Sequence, residues 1–333
     1  MGDGAARRHR GELFAALAAM GFGSAYVATS FALQAFEPVP AAVWRSFLAA
    51  IGVGLVMAVM GKRRSSAVAA SDAPSTGTGV DATTSRPAAA ARALRLLVLA
   101  TLAGPLFLAS MNLAVAHVGA AIAAFVAGLY AVLAAAIAPV LLPERLTPRV
   151  LGGFVLALGG TALLAELDPN RTDLVGMGWG ILAAVSFALY LVLARRWSTA
   201  YRLDGSTVAL ANVALAALVL GGFVLAVDPG SLMPSALTAE SIVAIGWLSA
   251  VAALGPVLMV ASVRIIAAAR SAAFLLLNPI TATVLAVVLL SERPSPVQVV
   301  GGLLVLLGIA AATIPGRAGR DRTRHSRRRD AGP

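Results

Sequence analysis

Cysteine is missing from this 333-residue chain, which removes any disulfide framework, thiolate metal site or thiol nucleophile and leaves the redox compartment open. Charge is scarce too. Only 12% of residues are charged, about half the share of an average soluble protein, while 59% are hydrophobic and the mean hydropathy is +0.88. So few polar residues cannot coat a globule, and lipid is the expected solvent. The three histidines, His9, His117 and His325, are too scattered to form a metal-spaced set, so no metal and no cofactor is expected. "GKRRSS" lacks the glycine that a phosphate-cradling loop places five residues before its Gly-Lys, so ATP is not the expected fuel. Carboxylates avoid depth: Glu12, Glu37, Glu144, Glu166, Glu240 and Glu292 fall at the ends of apolar runs or between them. A proton relay through a midplane acid therefore has no candidate. Proton coupling would have to use the solute, water or a carboxylate at the rim.

What the chain has in abundance is apolar runs. Ten of them begin near Gly11, Val39, Ala93, Gly119, Arg149, Leu174, Gly205, Ser241, Ala267 and Val297. Each is about 18 to 24 residues long, enough to cross a hydrocarbon core of about 30 Å. Most connections are short and carry turn residues, as in "EPVP", "ELDPNRTD" and "DPGSLMPS". The segment 61–92, rich in Ser, Thr, Ala and Pro, reads as a flexible loop, and 315–333 as a basic tail. The first run is too long for a signal-peptide core and meets "QAFEPVP", a poor cleavage site, so it is expected to stay as a membrane helix.

The basic residues supply an orientation. If the N-terminal arm 1–10 is cytoplasmic, all of the 26 Lys and Arg fall on that side except Arg171, Arg293 and Arg45. The positive-inside rule then places both termini in the cytoplasm of a multi-pass protein of the inner (plasma) membrane. The net charge of +11 is thereby topogenic, and no aromatic residue interleaves the tail, so nucleic acid is not an expected partner.

One pattern is written twice. "LLPERLTPRVLGGFVLALGG" at 141–160 returns as "LLSERPSPVQVVGGLLVLLG" at 289–308, with nine identical positions and no gap. A spacing of 148 residues is near half the chain, so internal repeats frame the reading. Five runs per half is an odd number, and the second half must therefore lie upside down relative to the first. Other landmarks pair as well: "LAGPLFLAS" with "ALGPVLMVA", and Tyr26 with Tyr190. The expected architecture is all-α and polytopic, ten transmembrane helices as two inverted five-helix repeats at 11–166 and 174–314. Gly104-Pro105 and Gly255-Pro256 would break matching helices in mid-span. Such paired breaks in inverted repeats mark secondary transporters, with the site between the halves.

At these residues the chain resembles the EamA-like domains of the drug/metabolite transporter superfamily. The resemblance runs over roughly residues 12–314. It rests on "GFGSAYVATSFAL", "PAAVWRSFLAA" and the Glu144 hairpin in the first half, and on "LLLNPITATVLAVVLLSERPSPVQVVGGLLVLLG" in the second. It implies ten helices, an inverted repeat, a central cavity, and export or import of small metabolites. The family pattern has a proline about thirteen residues before the hairpin glutamate; Pro279 matches it, but the first half has Ala131 there.

Polar and aromatic residues at depth are the candidate pathway: Tyr26, Trp44, Arg45, Asn112, Tyr130, Tyr190 and Asn278. Arg45 is the one charge well inside a run, which marks either a functional site or a side chain that snorkels to the headgroups. For the asparagines and Tyr130 the plainer role is interhelical hydrogen bonding. Tyr26, Tyr190 and Trp44 could instead be interface anchors. Glu144-Arg145 and Glu292-Arg293 read as structural turns with Pro148 and Pro296, and Gly153, Gly160, Gly301 and Gly308 as close-packing surfaces. The function expected is a secondary transporter, with export as the expected direction, of small organic metabolites such as amino acids, by alternating access and with proton or solute counter-flux as options. No chemical bond is made. An intramembrane enzyme on lipid-linked substrates, or a membrane scaffold or sensor, is the alternative.

Overall fold

The computed structural model describes residues 2–69, 86–141, 148–164, 173–201, 205–263, 265–266, 274–275 and 277–313, and every regular element among them is helical. The order is α1 (Gly2–Ala32), α2 (Pro38–Ala69), α3 (Arg86–Thr101), a π turn (Leu102–Leu106), α4 (Phe107–Gly128), α5 (Tyr130–Leu141), α6 (Pro148–Leu164), α7 (Leu174–Tyr201), α8 (Gly205–Val227), a 3-10 turn (Pro229–Leu232), α9 (Ala239–Val263), α10 (Leu277–Leu289) and α11 (Pro296–Thr313). Helix is the expected outcome of such apolar stretches, because in lipid each backbone N–H and C=O must find its partner within the segment.

Six stretches are long and apolar enough to cross a membrane: Ala6–Ala32, Pro38–Ala58, Ala89–Leu141, Leu174–Trp197, Thr207–Val227 and Ala239–Met259. Three shorter apolar helices, Leu151–Leu163, Leu277–Leu289 and Pro296–Ala311, accompany them. The 53-residue stretch is not one rod. Gly119, at φ 79° and ψ 172°, interrupts α4 with a backbone conformation that only glycine adopts freely. Leu218, Val288 and Leu174 are 72%, 69% and 72% exposed. Large apolar side chains turned outward at this level face lipid rather than water.

The packing follows the repeat. Among the described residues the most extensive pairings are α6 with α11, α1 with α9, α4 with α7, and α2 with α8, and each joins one half to the other. The α6–α11 seam is built on glycines. A Cβ on Gly160 would lie 2.5 Å from the Gly301 carbonyl oxygen, and one on Gly308 would lie 2.5 Å from that of Gly153. Residues 153 and 301, and 160 and 308, are equivalent across the 148-residue register, so the same contact is made twice about a pseudo-two-fold relation. The close-packing role expected of these glycines is what the seam displays.

Two expectations need correction. The segment 61–92 is not loop throughout, because α2 runs on to Ala69 and α3 begins at Arg86. Its alanine-rich flanks favour helix, and Pro87 stands in the first turn of α3, where its missing N–H costs nothing. Residues 70–85 lie outside the described residues, as do Glu144, Arg145 and the tail. The other correction concerns the twin Gly-Pro breaks, which are unequal. Gly104 has φ −91° and ψ −107° inside the π turn, whereas α9 carries Pro256 within a continuous helical assignment from Ala239 to Val263. Ala131 is accompanied by a discontinuity of its own kind: α4 ends at Gly128 and α5 starts at Tyr130, with Leu129 N–H turning back to Val126.

Candidate interhelical solute site

Arg45 sits in α2, seven residues below its start, and is 5% exposed. Two of its guanidinium nitrogens, Nε and Nη1, are buried and have no hydrogen-bond partner. The backbone around it is fixed from the other half, where Ser249 of α9 donates its hydroxyl to the Arg45 carbonyl at 3.2 Å. Tyr26 of α1 lies within electrostatic reach of both Arg45 and Tyr130. All three are buried.

Tyr130 continues into an aromatic cluster. Its ring meets Phe187 of α7 edge-on at 5.0 Å between centroids, and Phe187 also packs against Phe107 at 4.8 Å and Tyr190 at 5.4 Å. Tyr190 hydrogen-bonds Asn212 of α8. Asn112 is fully buried, donates Nδ2 to the Pro38 carbonyl at 2.9 Å, and keeps an unpartnered Oδ1. Asn278 and Asn212 also leave Oδ1 without a partner, and so does the Ser46 hydroxyl. Asn278 and Pro279 are buried in the first turn of α10, where the Asn278 carbonyl approaches α1 so closely that Gly23 admits no side chain. Buried polar atoms without partners are rare, and each calls for water or a ligand.

Trp44 is placed differently. It is half-buried, stacks edge-on with Phe47 at 6.3 Å, and donates Nε1 to the Leu232 carbonyl at 2.9 Å. Together with Ser235 N–H to the Ala35 carbonyl at 2.8 Å, this ties the 228–238 connection over the ends of α1 and α2. Glu292 adds a further tie at the same end of the bundle. Its carboxylate accepts from the N–H groups of Ala120 at 2.9 Å and Ala121 at 3.3 Å, capping the helix that restarts after Gly119. A carboxylate at a helix N-terminus satisfies orphan donors and the positive end of the dipole at once. The turn after Glu292 is closed by other residues: Ser295 N–H donates to Gln298 Oε1 at 3.0 Å and Gln298 N–H to Ser295 Oγ at 3.2 Å, a capping box ahead of α11. A cavity of about 430 Å³ lies beside Glu292 between α4, α10 and α11, and shares no lining residue with the Arg45 group.

The π turn at Gly104-Pro105 has a specific partner. Ser186 of α7 donates its hydroxyl to the Leu102 carbonyl, three residues before the proline. A Cβ at Gly104 would collide with the Asn212 carbonyl. At Gly255 the neighbour is the Phe22 ring of α1. In the register that pairs Tyr26 with Tyr190, a difference of 164, Ser186 is the counterpart of Phe22. The hydroxyl that supports the break in one half is a ring in the other, which accounts for the inequality of the two. Pro105→Ala is therefore expected to cost more solute flux than Pro256→Ala, with Ser186→Ala following Pro105→Ala. Equal losses at the two prolines, at matched abundance in vesicles, would count against this pairing.

Asp173 opens α7 at the tied end of the bundle. Its carboxylate accepts from Gly176 N–H at 2.9 Å and meets His117 Nδ1 at 2.6 Å. The Gly176 bond first, and the His117 bond second, hold the acid below its ordinary range. A depressed acid contributes stability that is complete above its unfolded-state value and is lost as pH falls through its folded value. The protection of the Gly176 amide against exchange, relative to its intrinsic rate, should fall as pH drops through the acid range, and Asp173→Asn should flatten that fall. A pH-independent protection of this amide would remove the role.

Sequence had no means to flag Phe107, Ser186 or Asn212, which are ordinary residues on apolar helices until packing brings them together. Phe187 had a faint signal, being three residues before Tyr190 and so on the same helix face. The capping role of Glu292 was hidden because its partners lie 172 and 171 residues away.

No curated protein matches the chain. Among solved structures, one described as "Crystal structure of protein" superposes with a TM-score of 0.58 at 19% identity, covering 91% of this chain and 97% of that one, which shows a shared fold. The EamA-like transporter family matches twice, over residues 9–165 and 174–314. Two consecutive matches spanning nearly the whole sequence mean that the chain belongs to the EamA-like transporter family.

Proposed function

We propose that this protein is a secondary carrier that moves small organic metabolites, amino acids or related compounds among them, across the inner membrane. In this reading ten helices span the bilayer as two inverted five-helix repeats with both termini cytoplasmic. The 53-residue apolar stretch then counts as two spans that reverse at Gly119, and the three shorter apolar helices complete the set. The observation that carries the reading is the set of buried, under-satisfied polar atoms on helices of both halves, which pack helix for helix against each other. Such a group suits a solute that leaves water and needs both hydrogen bonds and an apolar wall.

Alternating access requires that the halves tilt about the buried group. The ties at the Glu292 end would have to open and reform in each cycle. Direction follows from the gradients, because a carrier without its own fuel runs either way; export results whenever the solute is more concentrated inside. No bond is made or broken in this scheme.

Purified protein in vesicles loaded with unlabelled metabolite mixtures should catalyse counterflow of labelled amino acids or related small metabolites without ATP. Uptake that required ATP hydrolysis by the purified chain, or the absence of any saturable exchange across a broad panel, would sink the carrier reading.

A further inference from the structure

Arg45 carries a positive charge that forms no ion pair among the described residues. Arg8 pairs with Glu12 at 3.5 Å and His117 with Asp173 at 2.6 Å, and Arg45 belongs to neither pair. The groups it reaches electrostatically are phenolic, Tyr26 directly and Tyr130 behind it. Glu37 precedes α2 by one residue and lies eight residues before Arg45, about 12 Å up the helix at 1.5 Å per residue. A guanidinium cannot shed its proton under biological conditions. Buried cations are usually paired or reach water; Arg45 is 5% exposed, pairs with no acid among the described residues, and has Nε and Nη1 buried without a partner.

We infer that the missing anion is the cargo: Arg45 is the binding site for a carboxylate group on the transported solute. This rests on the carrier reading above and names its substrate class. A single guanidinium matches the single charge of a carboxylate, and Tyr26, within its electrostatic reach, carries an O–H donor. A phosphate monoester, with nearly twice the charge, is poorly matched to one cation. The remainder of the solute would extend toward Tyr130 and the Phe107–Phe187–Tyr190 rings, which form an apolar wall. The unpartnered Oδ1 atoms of Asn112 and Asn278 are acceptors for any N–H or O–H group that the solute carries. Site and solute thus neutralise each other, and the pair crosses the low-dielectric region with a lower electrostatic penalty than either charge alone.

The test uses full-length protein in detergent and in vesicles, and probes in matched pairs: free amino acids and monocarboxylic acids against their primary amides, with chloride and inorganic phosphate as separate arms. At least one acid should raise the melting temperature of the wild type in a concentration-dependent way while its amide does not. Arg45→Gln should abolish that response, and Arg45→Lys should retain part of it. Arg45→Met should melt at or above the wild-type temperature without solute, because it removes an unpaired buried charge, and should lose acid counterflow at least tenfold. A guanidinium held by structural contacts would give the reverse, a clear drop in melting temperature for Arg45→Met. Amides that stabilise or move as well as the acids would overturn the anion assignment while leaving a carrier. A stabilising acid with no flux of any probe would remove the carrier and keep the anion site. Chloride or phosphate that reproduces the acid response, or an acid response that survives in Arg45→Gln, would overturn the carboxylate assignment.

Discussion

Gly308→Leu, and equally Gly160→Leu, should destabilise the bundle by upward of about 3 kcal/mol, at or beyond the top of the usual overpacking range. Backbone atoms, not yielding side chains, occupy the space. The new Cβ of Gly308 would meet the Gly153 carbonyl oxygen at 2.5 Å and the Ala157 nitrogen at 2.6 Å, and that of Gly160 would meet the Gly301 oxygen at 2.5 Å and the Val305 nitrogen at 2.7 Å. Relief requires α6 and α11 to separate, and helices in lipid associate chiefly through such close backbone contact. The helix supplies its own controls. Gly159 and Gly152 are exposed, and nothing lies within 4 Å of where a Cβ on either would stand, so leucine at either should shift the melting temperature little. Melting and monodispersity in detergent, read side by side for Gly308→Leu and Gly159→Leu, decide the matter. Equal midpoints would mean that the seam does not hold the fold.

The second large effect is expected at Glu292. Removing the carboxylate orphans the N–H groups of Ala120 and Ala121, and loss of an N-cap typically costs about 0.5–2 kcal/mol. Here the cap also joins one repeat to the other, so the loss should appear as a shift in the conformational equilibrium as well as in stability. A change of about 1.4 kcal/mol in a two-state equilibrium alters its constant roughly tenfold. Since the chain has no cysteine, Ala28→Cys, a buried position two residues beyond Tyr26, can be read by a water-soluble maleimide without background. Glu292→Ala should raise its labelling rate severalfold, and Glu292→Gln, which keeps one acceptor oxygen, should fall between. An unchanged rate in Glu292→Ala would show that the other ties at this end are sufficient.

The contrast between these two sites shows what a single sequence can convey. The α6–α11 seam was legible because both partners belong to the repeated motif: Gly153, Gly160, Gly301 and Gly308 recur in register, and small residues at that spacing have few uses except close approach. Glu292 was legible as a turn residue only. Its donors belong to a helix that starts at a positive-φ glycine, and neither the chain reversal at Gly119 nor the distance of closure leaves a local pattern. Arg45 could be singled out by its depth, but depth alone does not distinguish a buried guanidinium from one that reaches the headgroups; that took the packing of α1, α2 and α9 around it. The unequal Gly-Pro pair defeated the repeat argument for a similar reason. Identical dipeptides are set against Ser186 in one half and Phe22 in the other, and neighbours so far apart in sequence leave no local pattern.

The exchange of partners between halves bears on how the chain is made. α1 packs chiefly on α9, α2 on α8, α4 on α7 and α6 on α11, so the helices synthesised first have their principal neighbours in the half synthesised last. Until α7 to α11 leave the ribosome, the early helices stand in the bilayer with glycine faces uncovered and the Arg45 guanidinium without its enclosure. Half a chain is thus an assembly intermediate, and its survival depends on the speed of translation and on the insertion machinery rather than on its own packing. A pause in translation after α6, or a truncation there, should send the protein to membrane proteolysis. Co-expression of the missing half as a separate polypeptide should rescue it.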